Sequence, residues 1–159
     1  IRGIVGDGLD PEVLVKFISA YAKWIGSGTV VVGRDSRITG AMVSSITAGA
    51  LNALGINVVD IGIVPTPTVQ FAVKTLGAQG GIAISASHNP NEWNALKLLN
   101  ATGQFMSPEE HNEMKKYLGE PAEYKSWDKI GHTTFNSEML KFHKEKALQL
   151  PFIDIDLIR

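Results

Sequence analysis

The sequence predicts an α/β fold of three layers, in which helices flank a mixed, mostly parallel sheet on both faces. Up to residue 85, short apolar runs alternate with segments of helical period, an order typical of parallel strands joined by helices. The runs are unbroken and rich in β-branched residues, as in strands that are buried on both faces. The chain has 159 residues, of which 44% are hydrophobic, so one domain with a sizeable core is expected.

The first predicted helix begins at a strong N-terminal signal. Asp10 is placed to cap it, Pro11 occupies the first helical position, and apolar residues then recur at helical spacing as far as Gly26. Strands and helices alternate after this helix. Their predicted order is strand Thr29–Val32, helix Gly40–Leu54, strand Ile56–Ile61, a helix from Thr66 to Gly77, and strand Gly81–Ser85.

The second part of the chain changes character. Two apolar runs flank the turn-forming residues 100–103 and predict a hairpin, which would make the sheet mixed. Ser107 and Glu110 match a capping box, and the helix that it starts should reach about Leu118. The full set is hairpin strands Ala95–Leu99 and Gln104–Met106, an irregular polar stretch 119–135, a helix that Asn136 caps and that runs to about Gln149, and a strand-forming tail or linker after Pro151.

Composition and charge exclude several classes of protein. Fifteen Lys and Arg stand against sixteen Asp and Glu, a net charge of −1, so no basic footprint indicates a nucleic-acid partner or a membrane surface. The absence of cysteine excludes a disulfide framework and thiolate metal sites. With no apolar run of about 18 residues and no signal-peptide layout, we expect a cytoplasmic domain without a membrane span.

Polar clusters follow three of the predicted strands at the point where each strand ends. They are Gly33–Arg37, Pro65–Pro67 and Ser87–Pro90. Ligands bind outside the carboxyl ends of strands in open α/β sheets, so these loops are expected to face one site. Taken singly, each cluster fits a solvated turn equally well; three at one edge favour a site.

Arginines in these segments are candidate anion ligands. Arg34 and Arg37 lie three positions apart, and two guanidinium groups in one loop could fork onto a phosphate or carboxylate. The alternative is that either one pairs with Asp35, with Asp60 or with an acid of another domain. Arg2, in a Gly-rich segment, is a further candidate, and its alternative is a frayed terminal charge.

The loop around Ser87 is the most informative stretch of the sequence. Pro90 fixes its own φ and biases Asn89 towards an extended backbone, so the loop should be stiff and able to hold a hydroxyl at a fixed point. Lys97 then stands in an apolar strand. It is either an edge-strand lysine that discourages aggregation or an ammonium directed at the Ser87 loop.

Familiar catalytic motifs do not occur in the sequence. No G-x-S-x-G surrounds Ser87, and neither a P-loop nor a G-x-G-x-x-G is present. His88 directly follows Ser87, an arrangement that rarely lets the imidazole deprotonate its neighbour. The four histidines show no metal-ligand spacing.

At these residues the sequence resembles the first domain of the α-D-phosphohexomutases, the family of phosphoglucomutase, phosphomannomutase and phosphoglucosamine mutase. Two positions depart from the family pattern: Ser85 replaces the usual Thr, and Ala95 replaces Gly, which requires that this position not need a positive φ. Four family motifs occur in order, namely Ile1-Arg2-Gly3, the Gly-x-Asp-x-Arg-x-Ser/Thr-Gly element Gly33–Gly40, Pro65-Thr66-Pro67 and the phosphoserine loop Ser85–Lys97.

The resemblance implies an intramolecular phosphotransferase, an isomerase of carbohydrate metabolism. The family's serine passes a phosphoryl group to a hexose monophosphate, and the bisphosphate intermediate returns its other phosphoryl group to the serine. By position, the resemblance assigns catalysis to Ser87, His88, Lys97 and Arg2, and binding of phosphate or substrate to Arg34, Arg37, Asn89 and Thr66.

The resemblance also implies cofactors and further domains. Mg²⁺ would bind the Ser87 phosphate, with its other ligands outside this chain, and a hexose 1,6-bisphosphate would act as activator. Residues 1–149 would form the first domain, and residues 150–159 a linker or tail towards a second one. The expected partners are a hexose phosphate and the remaining domains of the same enzyme.

The segment Asn94–Asn100 resembles bacterial phosphoglucosamine mutases and phosphomannomutases, and this resemblance favours a glucosamine or mannose phosphate as substrate. Since the loops that choose the sugar are expected elsewhere in the enzyme, we expect the isolated chain to be inactive. The alternative function is a non-catalytic α/β module that binds anions.

Overall fold

A computed structural model describes residues 1–154 of the chain, and these form one sheet with helices on both faces. The sheet has seven strands in the order β2-β1-β6-β5-β3-β4-β7. Within the described residues the elements are β1 (Arg2–Val5), β2 (Gly8–Leu9), α1 (Pro11–Ile25), β3 (Thr29–Arg34), α2 (Gly40–Ala53), β4 (Asn57–Ile63), α3 (Thr66–Leu76), β5 (Gly80–Ile84), β6 (Trp93–Leu99), α4 (Pro108–Lys115), β7 (Thr133–Phe135) and α5 (Met139–Leu148).

The sheet is mixed and mostly parallel, as predicted. The pairs β1–β2, β3–β4, β3–β5 and β4–β7 are parallel, whereas β6 runs antiparallel to both β5 and β1. Parallel strands joined by α2 and α3 bring the loops after β3, β4 and β5 to one edge of the sheet. None of the helices within residues 1–154 has the length and apolar character that crossing a membrane requires.

Consecutive residues of β3 belong to different hydrophobic cores, which establishes three layers. Val30 and Val32 pack in a core with side chains of α1, α2 and α4. Val31 points to the other face and packs in a core with α3 and α5. All three valines are fully buried, so the unbroken apolar run is explained by a strand covered on both faces.

Local sequence signals account for the helix starts that they predicted. The Asp10 carboxylate accepts a hydrogen bond from the Val13 N–H at 2.9 Å and so caps α1. Ser107 and Glu110 form the reciprocal bonds of a capping box at α4. α4 ends at Lys115, earlier than the predicted Leu118.

The final helix differs from its prediction. The cap position of α5 is Glu138 rather than Asn136, because the Asn136 side chain accepts a hydrogen bond from the Glu138 N–H at 3.1 Å in a turn before the helix. The described part of the predicted tail, residues 150–154, forms turns and irregular backbone, and residues 155–159 of that prediction lie outside the described residues.

The observed strands differ from the prediction in three segments, and in the first two of these the pairing is long-range. The Gly-rich start forms β1, and Arg2 pairs with Ala95 of β6 across the whole domain. β7 is short and exposed, lies inside the stretch predicted as irregular, and pairs with β4. The predicted strand Gln104–Met106 contributes a single bridge, between Leu99 and Phe105.

Candidate active site

The loops that follow β3, β4 and β5 meet at one edge of the sheet, as predicted. Arg37, after β3, donates to backbone carbonyls of the loop between β5 and β6. Thr66, after β4, lies 3.5 Å from the Lys97 ammonium of β6. Beside Ser87 and Arg37 the surface has a polar cavity of about 380 Å³, within the size range of small-molecule sites.

Ser87 is exposed at the tip of the loop between β5 and β6, and its backbone is strained. Its φ is +60°, the one positive φ of a non-glycine among residues 1–154. Such strain costs on the order of 1 kcal/mol and persists where the surroundings hold it. The Ser87 N–H donates to Ser85 Oγ at 3.1 Å, and Ser87 Oγ lies 3.5 Å from Nδ1 of His88. Ala95 has an ordinary φ, so its replacement of glycine causes no strain.

Arg37 binds the protein itself with its whole guanidinium group. Its Nε donates to Oδ2 of Asp35 at 3.1 Å, the ion pair that was the alternative prediction for this residue. A guanidinium has five N–H groups, and the other four are also used. They donate to the carbonyl oxygens of Pro90 at 2.5 Å, Trp93 at 3.1 Å, Ser87 at 2.9 Å and Asn89 at 2.7 Å.

Phosphate binding by Arg37 stays a prediction, and it would require the side chain to give up some of these bonds, because all five of its N–H groups are bound within the protein. Sequence spacing placed Arg37 in the right loop but could not show that four carbonyls of a distant loop turn towards it. Arg34 differs: within residues 1–154 its guanidinium donates one hydrogen bond, to the Asp35 carbonyl at 3.1 Å. Arg34 therefore keeps N–H groups that could bind an anion. Asp60 pairs with neither arginine and instead accepts the Gly62 N–H at 2.8 Å.

Lys97 lies on an interior strand, so the prediction of an edge-strand lysine is wrong: β6 is paired on both sides, with β1 and β5. The side chain is half-buried at the site edge of the sheet. Burial lowers the pKa of the Lys97 ammonium, and the charge of Arg2 lowers that pKa further, whereas Asp35 acts in the opposite direction. A lysine with a lowered pKa is better suited to transfer a proton near neutral pH.

Arg2 is anchored in the sheet, which excludes the alternative of a frayed terminal charge. Its backbone is part of β1, and its Nη1 donates to Oδ1 of Asn89 at 2.9 Å. Through this bond Arg2 reaches the same loop as Ser87. The Asn89 amide is thus held by Arg2, which leaves its NH₂ group as the donor that could face a ligand.

Sequence reasoning missed two supports of the loop. Ser85 accepts the Ser87 N–H through its hydroxyl; a serine two residues before a turn residue is the local signal that could have indicated this. Asn94 is fully buried, and its Nδ2 donates to Thr39 Oγ1 at 3.0 Å, which joins β6 to the start of α2. That contact spans 55 positions, so no local pattern indicates it.

The residues around Ser87 do not by themselves fit a magnesium site. Mg²⁺ prefers several oxygen ligands in near-octahedral geometry. Among the described residues no three His, Asp or Glu side chains are grouped so that they could hold a metal ion. Asp35, the carboxylate beside Ser87, is already paired with Arg37.

Comparison with known proteins agrees with this geometry. The sequence profile of the phosphoglucomutase/phosphomannomutase α/β/α domain I matches residues 1–125. A probable phosphoglucosamine mutase of Methanopyrus kandleri is 38% identical over 159 residues, all of this chain and 35% of that protein. A phosphoglucosamine/phosphogalactosamine mutase of Sulfurisphaera tokodaii is 41% identical over 116 residues, 72% of this chain and 26% of that protein.

Solved structures share the fold. A phosphoglucomutase/phosphomannomutase family protein of Burkholderia thailandensis matches with a TM-score of 0.76 and 25% identity, over 94% of this chain and 34% of its own. A structure from Thermus thermophilus matches with a TM-score of 0.82 and 29% identity, over 98% of this chain and 35% of its own.

The chain therefore spans about a third or less of the length of these relatives. The match to the domain profile covers most of the chain, and it includes all four motifs that the sequence analysis singled out. On this evidence the chain belongs to the phosphoglucomutase/phosphomannomutase family and carries its α/β/α domain I.

Proposed function

We propose that the whole protein is a phosphohexomutase and that this chain supplies the serine, Ser87, that carries the phosphoryl group. One observation carries the proposal: the exposed Ser87 hydroxyl stands on a strained, hydrogen-bonded loop where the ends of three strands meet. Strain of this kind concentrates at functional sites. Lys97 and Arg2 supply positive charge on the same side of the sheet.

The proposed reaction has two phosphoryl transfers that balance. In the first, the hydroxyl at C1 of a hexose 6-phosphate loses its proton as its oxygen bonds to the phosphorus on Ser87, the bond from that phosphorus to Ser87 Oγ breaks, and Oγ takes up a proton. The resulting 1,6-bisphosphate reorients in the site. In the second, Ser87 Oγ loses its proton and bonds to the phosphorus at position 6, the bond from that phosphorus to the sugar oxygen O6 breaks, and O6 takes up a proton, which leaves a hexose 1-phosphate and restores the phosphoserine.

In this proposal Lys97 moves the proton and Arg2 stabilises charge. Its lowered pKa suits Lys97 to exchange a proton with the attacking or leaving oxygen. The contribution of Arg2 is electrostatic, because a guanidinium group is a permanent cation in proteins and does not carry protons to or from a substrate. His88 is the competing base, with Nδ1 at 3.5 Å from Ser87 Oγ.

Substrate contacts from this chain are assigned to Arg34, Thr66 and Asn89. Arg34 is the guanidinium of its loop that retains free N–H groups, and it suits a phosphate. The Thr66 hydroxyl lies 3.5 Å from the Lys97 ammonium, and the Asn89 amide accepts a hydrogen bond from Arg2; both groups can donate to or accept from sugar oxygens. We infer that Mg²⁺ in the whole enzyme takes the Ser87 phosphate as one ligand and its other ligands from outside this chain, and that a hexose 1,6-bisphosphate is the activator.

Glucosamine phosphate is the favoured substrate class, with mannose phosphate second. The support for glucosamine is the names of two relatives: the Methanopyrus kandleri protein is named a probable phosphoglucosamine mutase, and the Sulfurisphaera tokodaii protein a phosphoglucosamine/phosphogalactosamine mutase. A non-catalytic anion-binding module is the disfavoured alternative, because the match to the family domain includes the phosphoserine loop.

The test uses the full-length protein from which this chain comes. Incubation with glucosamine 1,6-bisphosphate should add one phosphate per chain by intact mass, and peptide mapping should place that phosphate on Ser87. Ser87→Ala should lose the added phosphate, whereas the matched variant Ser85→Ala should keep it. Phosphate on Ser85 or Ser36 instead of Ser87, or none at all, would refute the proposal. Rates on glucosamine and mannose 6-phosphates then decide the substrate class.

A further inference from the structure

Arg37 is a cation beside a proposed phosphate site, but its side chain has no unused N–H group. A cation in the same loop as Arg34 is the expected anion ligand, yet all five of its side-chain N–H groups are bound to the protein. Its side chain is 9% exposed. A role in contact with the substrate would require it to break bonds that are already made.

Four of the five side-chain bonds of Arg37 go to the loop between β5 and β6 and to the first residue of β6. Carbonyl oxygens of Ser87, Asn89, Pro90 and Trp93 converge on its two terminal nitrogens. Four carbonyl dipoles that point at one place repel one another, and a buried cation between them removes that repulsion. These four contacts connect the loop to one nearly buried cation.

Asp35 holds Arg37 in turn. Its Oδ2 accepts from Arg37 Nε at 3.1 Å, and its Oδ1 accepts from the Arg37 backbone N–H at 3.1 Å. The Asp35 backbone N–H donates to the carbonyl of Ile84, the last residue of β5, at 2.9 Å. These contacts fix the guanidinium relative to the strand that leads into the loop.

We propose that Arg37 is a positioning residue: through four backbone carbonyls it holds the loop that points the Ser87 hydroxyl at the substrate, and it does not touch substrate itself. The proposal rests on the proposed role of Ser87. Its physical basis is the strained φ of Ser87, which persists only where neighbouring contacts impose it, and a carbonyl of Ser87 itself is one of the four that Arg37 binds.

Kinetics of the full-length enzyme test this role. Arg37→Lys keeps the charge but replaces a five-donor fork by three donors on one atom, which cannot reach the same acceptors. We expect kcat for the hexose phosphate to fall by about 10²-fold through misplacement of Ser87. KM should stay within about threefold, because no substrate contact is lost. Millimolar guanidinium should restore part of the kcat of Arg37→Ala.

Arg34→Ala is the matched control from the same loop. For Arg34→Ala the proposed function predicts the opposite effect on the two kinetic constants: KM should rise about tenfold or more, and kcat should change less. A raised KM with retained kcat in Arg37→Lys would make Arg37 a phosphate ligand and overturn the proposal. Full activity of Arg37→Lys would overturn it as well.

Hydrogen exchange separates this proposal from the proposed function. Measured by mass spectrometry on the full-length protein without substrate, peptides covering residues 85–93 should exchange faster in Arg37→Ala than in the wild type, and at the wild-type rate in Arg34→Ala. Unchanged exchange in Arg37→Ala would overturn the positioning role. If the wild type gains no phosphate and has no mutase activity, the proposed function fails, whereas the exchange result still decides whether Arg37 orders the loop.

Discussion

Lys97 and His88 compete for the role of acid and base beside Ser87, and single substitutions in the full-length enzyme distinguish them. We expect Lys97→Ala to lower kcat by about 10²-fold, the usual contribution of a positioned proton donor or acceptor. His88→Ala should have a smaller effect, since His88 is exposed and its ring lies at the limit of hydrogen-bond distance from Ser87 Oγ. Steady-state rates check this; a loss under tenfold for Lys97→Ala together with a large loss for His88→Ala would reverse the two roles.

The same lysine opposes folding at neutral pH. Its pKa in the folded protein lies below the ordinary value of 10.5, chiefly because of burial and secondarily because of Arg2. Below the folded pKa the ammonium is charged in the folded and the unfolded protein. The charge is less favourable in the folded protein, so it lowers the free energy of unfolding. Between the folded pKa and 10.5 the unfolded chain binds more protons, so stability rises with pH and the penalty disappears.

Lys97→Met should therefore raise the melting temperature at pH 7, and the gain should shrink as the pH approaches 10.5. Calorimetry at several pH values measures this. The control is Lys74→Met in α3, an exposed lysine whose substitution should change stability little at any pH. A Lys97→Met protein that melts below the wild type at pH 7 would contradict the lowered pKa.

At single residues, sequence motifs predicted which side chains meet, but not which hydrogen bonds they make. Thr66 and the Ser87 loop lie at the same edge because the parallel strands β4 and β5 end there, whereas Arg2 and Lys97 reach that edge from the antiparallel pair β1 and β6. The engagement of Arg37 by four carbonyls could not be predicted, since it depends on the path of a loop 50 or more residues away.

At the scale of elements, the Tyr21 side chain of α1 forms hydrogen bonds with two central strands of the sheet. Its hydroxyl is fully buried and donates to the Leu99 carbonyl of β6 at 2.6 Å, with the Gly81 carbonyl of β5 at 3.2 Å. Burial raises the pKa of the Tyr21 phenol well above its ordinary value of 10.0. The neutral phenol is thus the folded form.

Tyr21→Phe should lower the free energy of unfolding by about 1–2 kcal/mol, because a buried carbonyl loses its donor while the ring packing remains. Urea unfolding followed by circular dichroism measures the difference. The raised pKa of Tyr21 also predicts a pH dependence. Above pH 10 the phenol ionises in the unfolded chain but not in the folded protein, so the free energy of unfolding of the wild type falls there. Tyr21→Phe should lose less over the same alkaline range, and an equal loss would contradict this account.

Gly49 lowers the stability of α2, and no close packing contact requires a glycine at this position. It lies inside that helix, is exposed, and a Cβ placed on it meets nothing within 4 Å. Gly49→Ala should raise the free energy of unfolding by about 0.5–1 kcal/mol through backbone entropy. Gly55 is the contrasting control: its φ is +81° and a Cβ would lie 2.9 Å from Lys125 Cγ, so Gly55→Ala should destabilise. Urea unfolding tests both, and equal effects would refute the argument.

Elements with strong local signals were predictable, and elements that depend on a distant partner were not. α1 and α4 follow from caps and apolar period, and β3 and β5 from buried β-branched or small apolar runs. β1 forms because β6 offers it an antiparallel partner, and β7 because β4 has a free side. Neither partner is visible in the short, mixed segments themselves.

For the whole molecule, exposed apolar side chains indicate where further protein could pack. Ile38 is 92% exposed and Ile63 is 55% exposed, and both lie where strands end at the site. Phe135 and Phe152 are also largely exposed, in the C-terminal part of the described chain. Contiguous exposed apolar patches mark interaction surfaces. Contact of these side chains with further domains is therefore an expectation that goes with the proposed function.

The isolated chain of 159 residues should fold and yet fail as a mutase. Folding is expected because two hydrophobic cores cover both faces of the sheet and the helices α1 and α4 carry their own caps. Circular dichroism with a cooperative urea transition checks it, and size-exclusion chromatography at rising concentration should show weak self-association through the exposed apolar side chains.

Catalysis should be lost because the described site covers one side of the reaction. It offers Ser87, Lys97 and Arg2. The bisphosphate of the proposed reaction has two phosphates, yet of Arg34 and Arg37 only Arg34 has free N–H groups, because Arg37 is bound to the loop. Sugar recognition needs convergent hydrogen-bond partners that reject the wrong epimer, and a bisphosphate that turns over must be held at its far end. A coupled mutase assay with Mg²⁺ and a hexose 1,6-bisphosphate, run beside a full-length relative, measures this. Activity of the 159-residue chain within about tenfold of that relative would mean that residues 1–159 complete the site.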